Sequence, residues 1–165
     1  MISPERRKNS KIAGDESESR FVTLAESRGL TVKKATEHEN MHHHIDFHVP
    51  HNGRDYSVDV KGKNYPREIW VEFKNVHGND GWLKGRATHI AFDMATLGKI
   101  CFVERNKLLD WCNSNVADEF VDEKRDAYRK KYTRRRFGRD DVITKIHIED
   151  LESIPSYSVW EYEKR

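Results

Sequence analysis

The chain has two cysteines, Cys101 and Cys112, and no apolar run of membrane-spanning length. Two thiols are too few for a disulfide framework, and their spacing is not that of a zinc site. Without some twenty consecutive apolar residues there is no expected transmembrane helix. The first sixteen residues are polar and lack the apolar segment of a secretory signal. These shortages set the expectation of a reduced, cytoplasmic protein with no membrane partner. Internal repeats and low-complexity segments are also missing. What remains is 165 residues, 36% hydrophobic and 35% charged, which implies one domain with an economical core and a wet surface.

Residues 42–63 read as a two-stranded hairpin. Asn52-Gly53 is a strong signal for a two-residue type I′ turn, because both central positions need positive φ. Such a turn sets the register, so that paired residue numbers sum to 105. Asp46 then lies opposite Asp59, His44 opposite Lys61 and His48 opposite Ser57. Because side chains alternate along a strand, Ile45, Phe47, Val49, Tyr56, Val58 and Val60 are expected on one apolar face. His44, Asp46, His48, Ser57, Asp59 and Lys61 are expected on the other.

That polar face is a poor choice for stability alone. Two carboxylates directly across a strand pair lie roughly 5 Å apart at Cβ and repel. A cation between them offsets the repulsion, and oxygen ligands of this kind suit a hard ion such as Mg²⁺. A lysine on the same face, two residues beyond Asp59, can polarise a water beside the metal. An acidic pair with a lysine is the equipment of metal-dependent phosphodiester cleavage.

Net charge is only +2, yet it is unevenly placed. Residues 124–139 contain nine basic side chains and one acid, an excess of eight positive charges that leaves the rest of the chain at −6. Arg129, Lys130, Lys131, Arg134, Arg135, Arg136 and Arg139 alternate there with Tyr128, Tyr132 and Phe137, as in a phosphate-tracking surface with stacking groups. The competing reading is a solvated charged helix whose aromatics point inward. The first reading makes DNA the expected partner.

Taken in order, residues 1–14 are expected as a flexible arm. A helix over 17–29 follows, capped by Ser17 and stopped by Gly29. Glu18 shares the inward face of Phe21 and Val22, or else is a solvated first-turn acid. Strands are expected at 30–36, in the hairpin, and at 69–74, where Glu72-Phe73-Lys74 repeats the acid-x-lysine pattern. Glu72 and Lys74 either extend the metal site or form a neighbouring surface. Residues 75–86, with three glycines, read as a mobile loop in which Trp82 is either buried or a flat surface for a base or sugar. Further strands at 88–94, 99–104 and 142–148, and helices at 106–117 and 150–154, complete an α/β (α+β) fold. Its centre is a mixed β-sheet containing an antiparallel meander and flanked by helices. The expected organisation is an arm (1–14), a core (15–117) and a basic C-terminal extension (118–165) that packs back on the core.

These residues resemble the PD-(D/E)xK nuclease superfamily. Its restriction-endonuclease-like core has an α-helix followed by a meander, with an acid on one strand and an acid-x-lysine on the next. Asp46, in Ile45-Asp46-Phe47, matches the first acid, and Asp59-Val60-Lys61 matches the second element. Glu18, followed by Gly29-Leu30-Thr31-Val32, is similar to the helix and strand start of archaeal-type Holliday junction resolvases. Asp46-Phe47 with Val58-Asp59-Val60-Lys61-Gly62 is similar to phage junction-resolving endonucleases. The likeness covers residues 15–75. Ile45 stands where the motif name has proline, Asp59 replaces the more usual glutamate, and Glu72-x-Lys74 supplies a second acid-x-lysine. The resemblance implies a Mg²⁺-dependent DNA endonuclease, with Mn²⁺ as a substitute, acting on branched or otherwise structured DNA. It also implies phage encoding with action in the host cytoplasm, and a homodimer if the substrate is a four-way junction with two symmetric cuts.

In that expectation Asp46 and Asp59 bind metal, the Val60 carbonyl is an extra ligand, and Glu18 completes the shell. Lys61 orients the nucleophile and offsets charge, since lysine is a poor base unless its pKa is lowered. Two other classes compete. His42, His43, His44, His48 and His51 surround the acids and suit Zn²⁺ or iron, or are polar surface. A non-catalytic nucleic-acid-binding module would use the basic segment alone.

Overall fold

A computed structural model describes residues 3–62 and 66–163. Helix α1 spans Pro4–Ser27 and starts earlier than the sequence suggests. Ser3 is its N-cap, accepting from the Arg6 N–H at 3.2 Å, and Pro4 takes the first helical position. Ser17, the expected cap, is instead buried in mid-helix, where its hydroxyl donates to Asp93 at 2.7 Å. The expected arm is therefore helical from Pro4, and Glu18 is not a first-turn residue. Only Lys33–Lys34 of the expected first strand is extended (β1), leading to a single π-helical turn at Glu39–His43.

The hairpin forms with β2 at Phe47–His51 and β3 at Arg54–Lys61. Its turn has φ of 49° at Asn52 and 75° at Gly53, and the register pairs Phe47 with Val58 and His48 with Ser57 as expected. It does not reach back to His44, whose left-handed backbone (φ 55°) ends the π turn and breaks the alternation. Ile45 consequently packs into a different cluster from Phe47 and Val49. Lys63, the far end of the expected hairpin, lies outside the described residues.

The remaining strands are β4 (Glu68–Lys74), β5 (His89–Met94), β6 (Lys99–Glu104), β7 (Phe120–Val121), β8 (Lys131–Tyr132), β9 (Val142–His147) and β10 (Ser158–Glu161). Helices α2 (Arg105–Asn115) and α3 (Ile148–Glu152) complete the α+β fold. The strands form two sheets, a mixed one in the order β1-β2-β3-β5-β6-β10 and a second in the order β4-β9-β8-β7. On the side away from β2, β3 pairs with β5, which runs parallel to it. Burial suits β5 to that central place: it is buried along nearly its whole length. β4 buries only Ile69, Val71 and Phe73 and leaves Trp70 and Glu72 on a half-exposed face.

One apolar cluster lies between α1 and the larger sheet, with Phe21 and Ala25 seated on Phe47, Val58, Val60 and Phe102. Fully burying a side chain such as Phe21 stabilises by about 2–3 kcal/mol. A second cluster joins the two sheets with α2 and α3 through Ile69, Val71, Ile90, Phe92, Leu108 and Leu151, and a smaller third one gathers Ala127, Tyr132 and Ile143. Residues 142–161 thus enter both sheets, β9 against β4 and β10 against β6. Among the described residues no helix is long and apolar enough to cross a membrane.

Candidate active site

Asp46 stands where the hairpin ladder gives out. Its N–H donates to the Val58 carbonyl at 2.9 Å, and its carboxylate takes over the next ladder position, accepting the Val60 N–H at 2.7 Å. The other carboxylate oxygen accepts from the Asn40 amide at 2.7 Å. Asp46 is therefore held on both oxygens, and Asn40 is a residue that sequence reading missed. Nothing in the local spelling reveals that a π turn aims Asn40 back at the acid six residues on.

Asp59 sits deeper, 3% exposed, toward the C-terminal end of β3. One carboxylate oxygen lies 3.1 Å from Lys61 Nζ. The other, Oδ2, is buried and finds no hydrogen-bond donor among the described residues. Asp46 is within hydrogen-bonding reach of Asp59. Burial raises the Asp59 pKa to about 7, helped by the Asp46 charge and opposed by Lys61. Glu18 reaches the same place from α1, and burial followed by the Asp46 and Asp15 charges raises its pKa. A cavity of about 670 Å³ opens over the group, lined by Glu18, Asp46, Asp59, Val60 and Lys61, with Lys34 and His44 at its margin.

Lys61 is held from several sides. Its ammonium lies 5.2 Å from the centroid of the Trp82 indole, a cation–π distance. Trp82 is buried, edge-on to Phe92, so of the two readings weighed for it the buried one holds. The loop that carries it is packed rather than loose. Gly81 N–H donates to Phe73 O at 2.8 Å, and Arg105 donates to the Leu83 and Ala87 carbonyls at 2.9 and 2.8 Å.

Glu72, on the second sheet, is an electrostatic neighbour of Lys61 and accepts the Trp82 backbone N–H; burial raises its pKa against both influences. Lys74 does not accompany it. A bulge falls between Glu72 and Lys74, so Lys74 turns to a separate cleft with Lys84 and Lys131. His44 leaves the strand but remains beside Lys61, and burial followed by that charge lowers its pKa. His48 bridges Glu39 at 2.6 Å and Asp55 at 2.9 Å. Those two acids raise its pKa although burial works against them.

α1 approaches the site at Gly62, immediately after Lys61. A Cβ there would stand 2.5 Å from Ser17 Oγ and 3.3 Å from the Ala13 carbonyl.

The basic segment is folded into the second sheet, and most of its cations have acidic partners. Arg129 pairs with Asp150, Lys130 with Glu119, Lys131 with Asp118, Arg134 with the fully buried Asp141, and Arg135 with Asp140. Tyr132 is buried and Tyr128 donates to Asp150, whereas Phe137 is exposed beneath Arg136. Arg139 is half-buried. The structure thus brings Glu18, Asp46, Asp59, Lys61 and His44 together with Glu72 beside them, and turns Lys74 to a separate cleft, while Arg134 of the basic segment is an electrostatic neighbour of Glu72.

Among the described residues, no three His, Cys, Asp or Glu side chains are arranged as a ready metal cage. The donor set is instead two carboxylates with a third at the edge, open to a solvent-accessible cavity. Comparisons with protein-family models, with curated proteins and with solved structures return no match to this chain.

Proposed function

We propose that the chain is a metal-dependent endonuclease that hydrolyses DNA phosphodiester bonds, and that branched or otherwise structured DNA is its substrate. The observation that carries this reading is Asp59: a buried carboxylate with an unsatisfied oxygen, facing Asp46 and adjoining Lys61 at the floor of an open cavity. A buried, half-satisfied acid facing another acid is costly. A proton or a cation relieves it.

The residues fit Mg²⁺, which binds through one or two carboxylates and keeps several waters; Mn²⁺ accepts the same donors. Asp46 and Asp59 would hold the ion, with Glu18 at its edge. When bound it supplies an activated water and counter-charge for the phosphate. The chain's own groups do the rest. Asn40 and the Val60 N–H fix the Asp46 carboxylate in one orientation. Lys61, steadied by Asp59 and the Trp82 ring, donates to the attacking water or a phosphate oxygen and offsets the charge that builds in the transition state. Glu72 is a further acidic neighbour of that ammonium. The sequence likeness to the PD-(D/E)xK superfamily supports the same assignment of roles.

The test is cleavage of labelled DNAs (four-way junction, flap, mismatch, linear duplex, single strand) with Mg²⁺, beside Asp59→Ala. Mg²⁺-dependent cutting that the variant loses is the expected result, and the preferred DNA defines the substrate. An active Asp59→Ala enzyme sinks the assignment. Binding without cutting of any substrate leaves a nucleic-acid-binding module.

A further inference from the structure

The histidines around the acids part company in the fold. His44 stands at the margin of the pocket, His48 bridges two acids, and His51 lies beside Asn52 in the hairpin turn. His42 and His43 turn instead to His38, with ring centroids 4.6 and 5.3 Å from its own. The π turn is the reason. His38 leads into it with helical backbone (φ −60°, ψ −47°), and the turn closes with the His44 N–H on the Glu39 carbonyl, an i→i+5 bond. This wider turn brings residues i+4 and i+5 back beside residue i, where an α-helix brings i+3 and i+4. His42 and His43 therefore both face His38.

The ring nitrogens of this trio have no hydrogen-bond partner among the described residues, and His38 and His42 are exposed. His43 is half-buried. Burial first, then the charge of Arg86, lowers its pKa and keeps the ring neutral, as a metal ligand must be. Glu39 is a negative neighbour of the same ring and opposes Arg86. The nitrogens do not converge as a finished cage. Rotation of the two exposed rings, which breaks no hydrogen bond, brings them to a common ion. None of the three lines the carboxylate pocket, and imidazole suits Zn²⁺, Ni²⁺ or Cu²⁺ where carboxylate and water suit Mg²⁺. We propose that His38, His42 and His43 form a second metal site, for Zn²⁺ or a similar imidazole-seeking divalent ion, with water in the remaining position. The same turn presents Asn40 to Asp46 at 2.7 Å, so an ion on the trio fixes the turn that orients this carboxylate. The site does not rest on the nuclease reading; its bearing on Asp46 does.

The experiment is isothermal titration calorimetry of the full-length chain with zinc chloride in excess Mg²⁺, together with Tm at saturating Zn²⁺. It compares His38→Asn and His42→Asn with His51→Asn and Asp59→Ala. The wild-type chain is expected to bind one Zn²⁺ through the trio and to gain Tm, because an ion held only by the folded state stabilises it. His38→Asn and His42→Asn are each expected to weaken binding at least about tenfold, since losing even an outer-shell partner of a metal ligand costs that much. Both also lose the gain in Tm, whereas His51→Asn and Asp59→Ala keep it. Both substitutions fall at exposed positions, and Tm without Zn²⁺ reports their folding. Wild-type affinity in His38→Asn and His42→Asn, or no Zn²⁺ binding by the wild-type chain, overturns the site. Loss of binding in Asp59→Ala or His51→Asn places the ion elsewhere and overturns it too. Parallel cleavage assays with Mg²⁺ alone separate the two readings. A chain that binds Zn²⁺ through the trio but never cuts keeps the site and loses the nuclease. A chain that cuts but takes up no Zn²⁺ does the reverse.

Discussion

Asp59-Val60-Lys61 and Glu72-Phe73-Lys74 carry the same alternation of acid, apolar residue and lysine, on strands of different sheets, and end in different surroundings. β3 is regular through its triplet, so both charges project to one side and Lys61 Nζ rests 3.1 Å from Asp59. β4 bulges inside its triplet, so Glu72 turns toward Lys61 and Trp82 while Lys74 turns to another cleft. Spacing becomes chemistry only where the ladder is unbroken. One inserted residue distributes a would-be acid–lysine pair between two places, and the acid joins the first triplet.

The largest effect that can break this comparison is catalytic. Lys61→Ala is expected to lower Mg²⁺-dependent cleavage by about 10³-fold or more, and Lys74→Ala to leave it within about twofold. Equal losses in the two variants would mean that the bulge does not separate their roles.

A second contrast sets cations with buried partners against exposed ones. Asp141 is fully buried and held by Arg134 through its side chain and its N–H. Arg134→Ala leaves that carboxylate uncompensated and is expected to destabilise by roughly 2–3 kcal/mol, reduced from a fully buried pair because Arg134 is partly exposed. Arg136→Ala, at the surface, is expected to stay within about 0.5 kcal/mol. Urea denaturation of both variants measures the difference, and equal midpoints would contradict the pairing.

The finest test uses Asp59 itself. Its folded pKa, about 7, lies above an ordinary value of 3.8, so the folded chain holds that proton more tightly. The associated stability is complete below about pH 4 and is lost as pH rises through 7. Relative to Asp59→Asn in EDTA, the wild-type chain should therefore lose stability between about pH 4 and pH 7, by at most roughly 4 kcal/mol. Mg²⁺ should recover part of the loss at the upper end of that range. A difference in Tm that is flat with pH would show that Asp59 does not carry the shift.

The hairpin was readable because its turn chemistry and alternation agree: Asn52-Gly53 alone is enough to place Asp46, Asp59 and Lys61 within reach of one another. The break at His44 was not readable, since a left-handed histidine after a π turn follows from the fit of residues 39–46 against the Trp82 loop. The membership of β4 in the second sheet depends on its pairing with residues 142–147, far along the chain. The basic run from Lys124 looked like a free surface because its acidic partners, Asp118, Glu119, Asp141 and Asp150, lie outside it and come to it only through the fold. The surroundings of Trp70 were unreadable for the same reason: Lys124 and Lys145 reach its ring from separate segments.

Gly62 matters by what it omits. The end of β3 and a 24-residue helix touch there with no room for a methyl group. Bulk at this point would act as a wedge, tilting the helix like a beam on a raised support and carrying Glu18 at mid-span and Arg6 near the free end by unequal distances. Tolerance to substitution should therefore be lowest at a residue with no functional group, because what it contributes is the alignment of two otherwise separate regions.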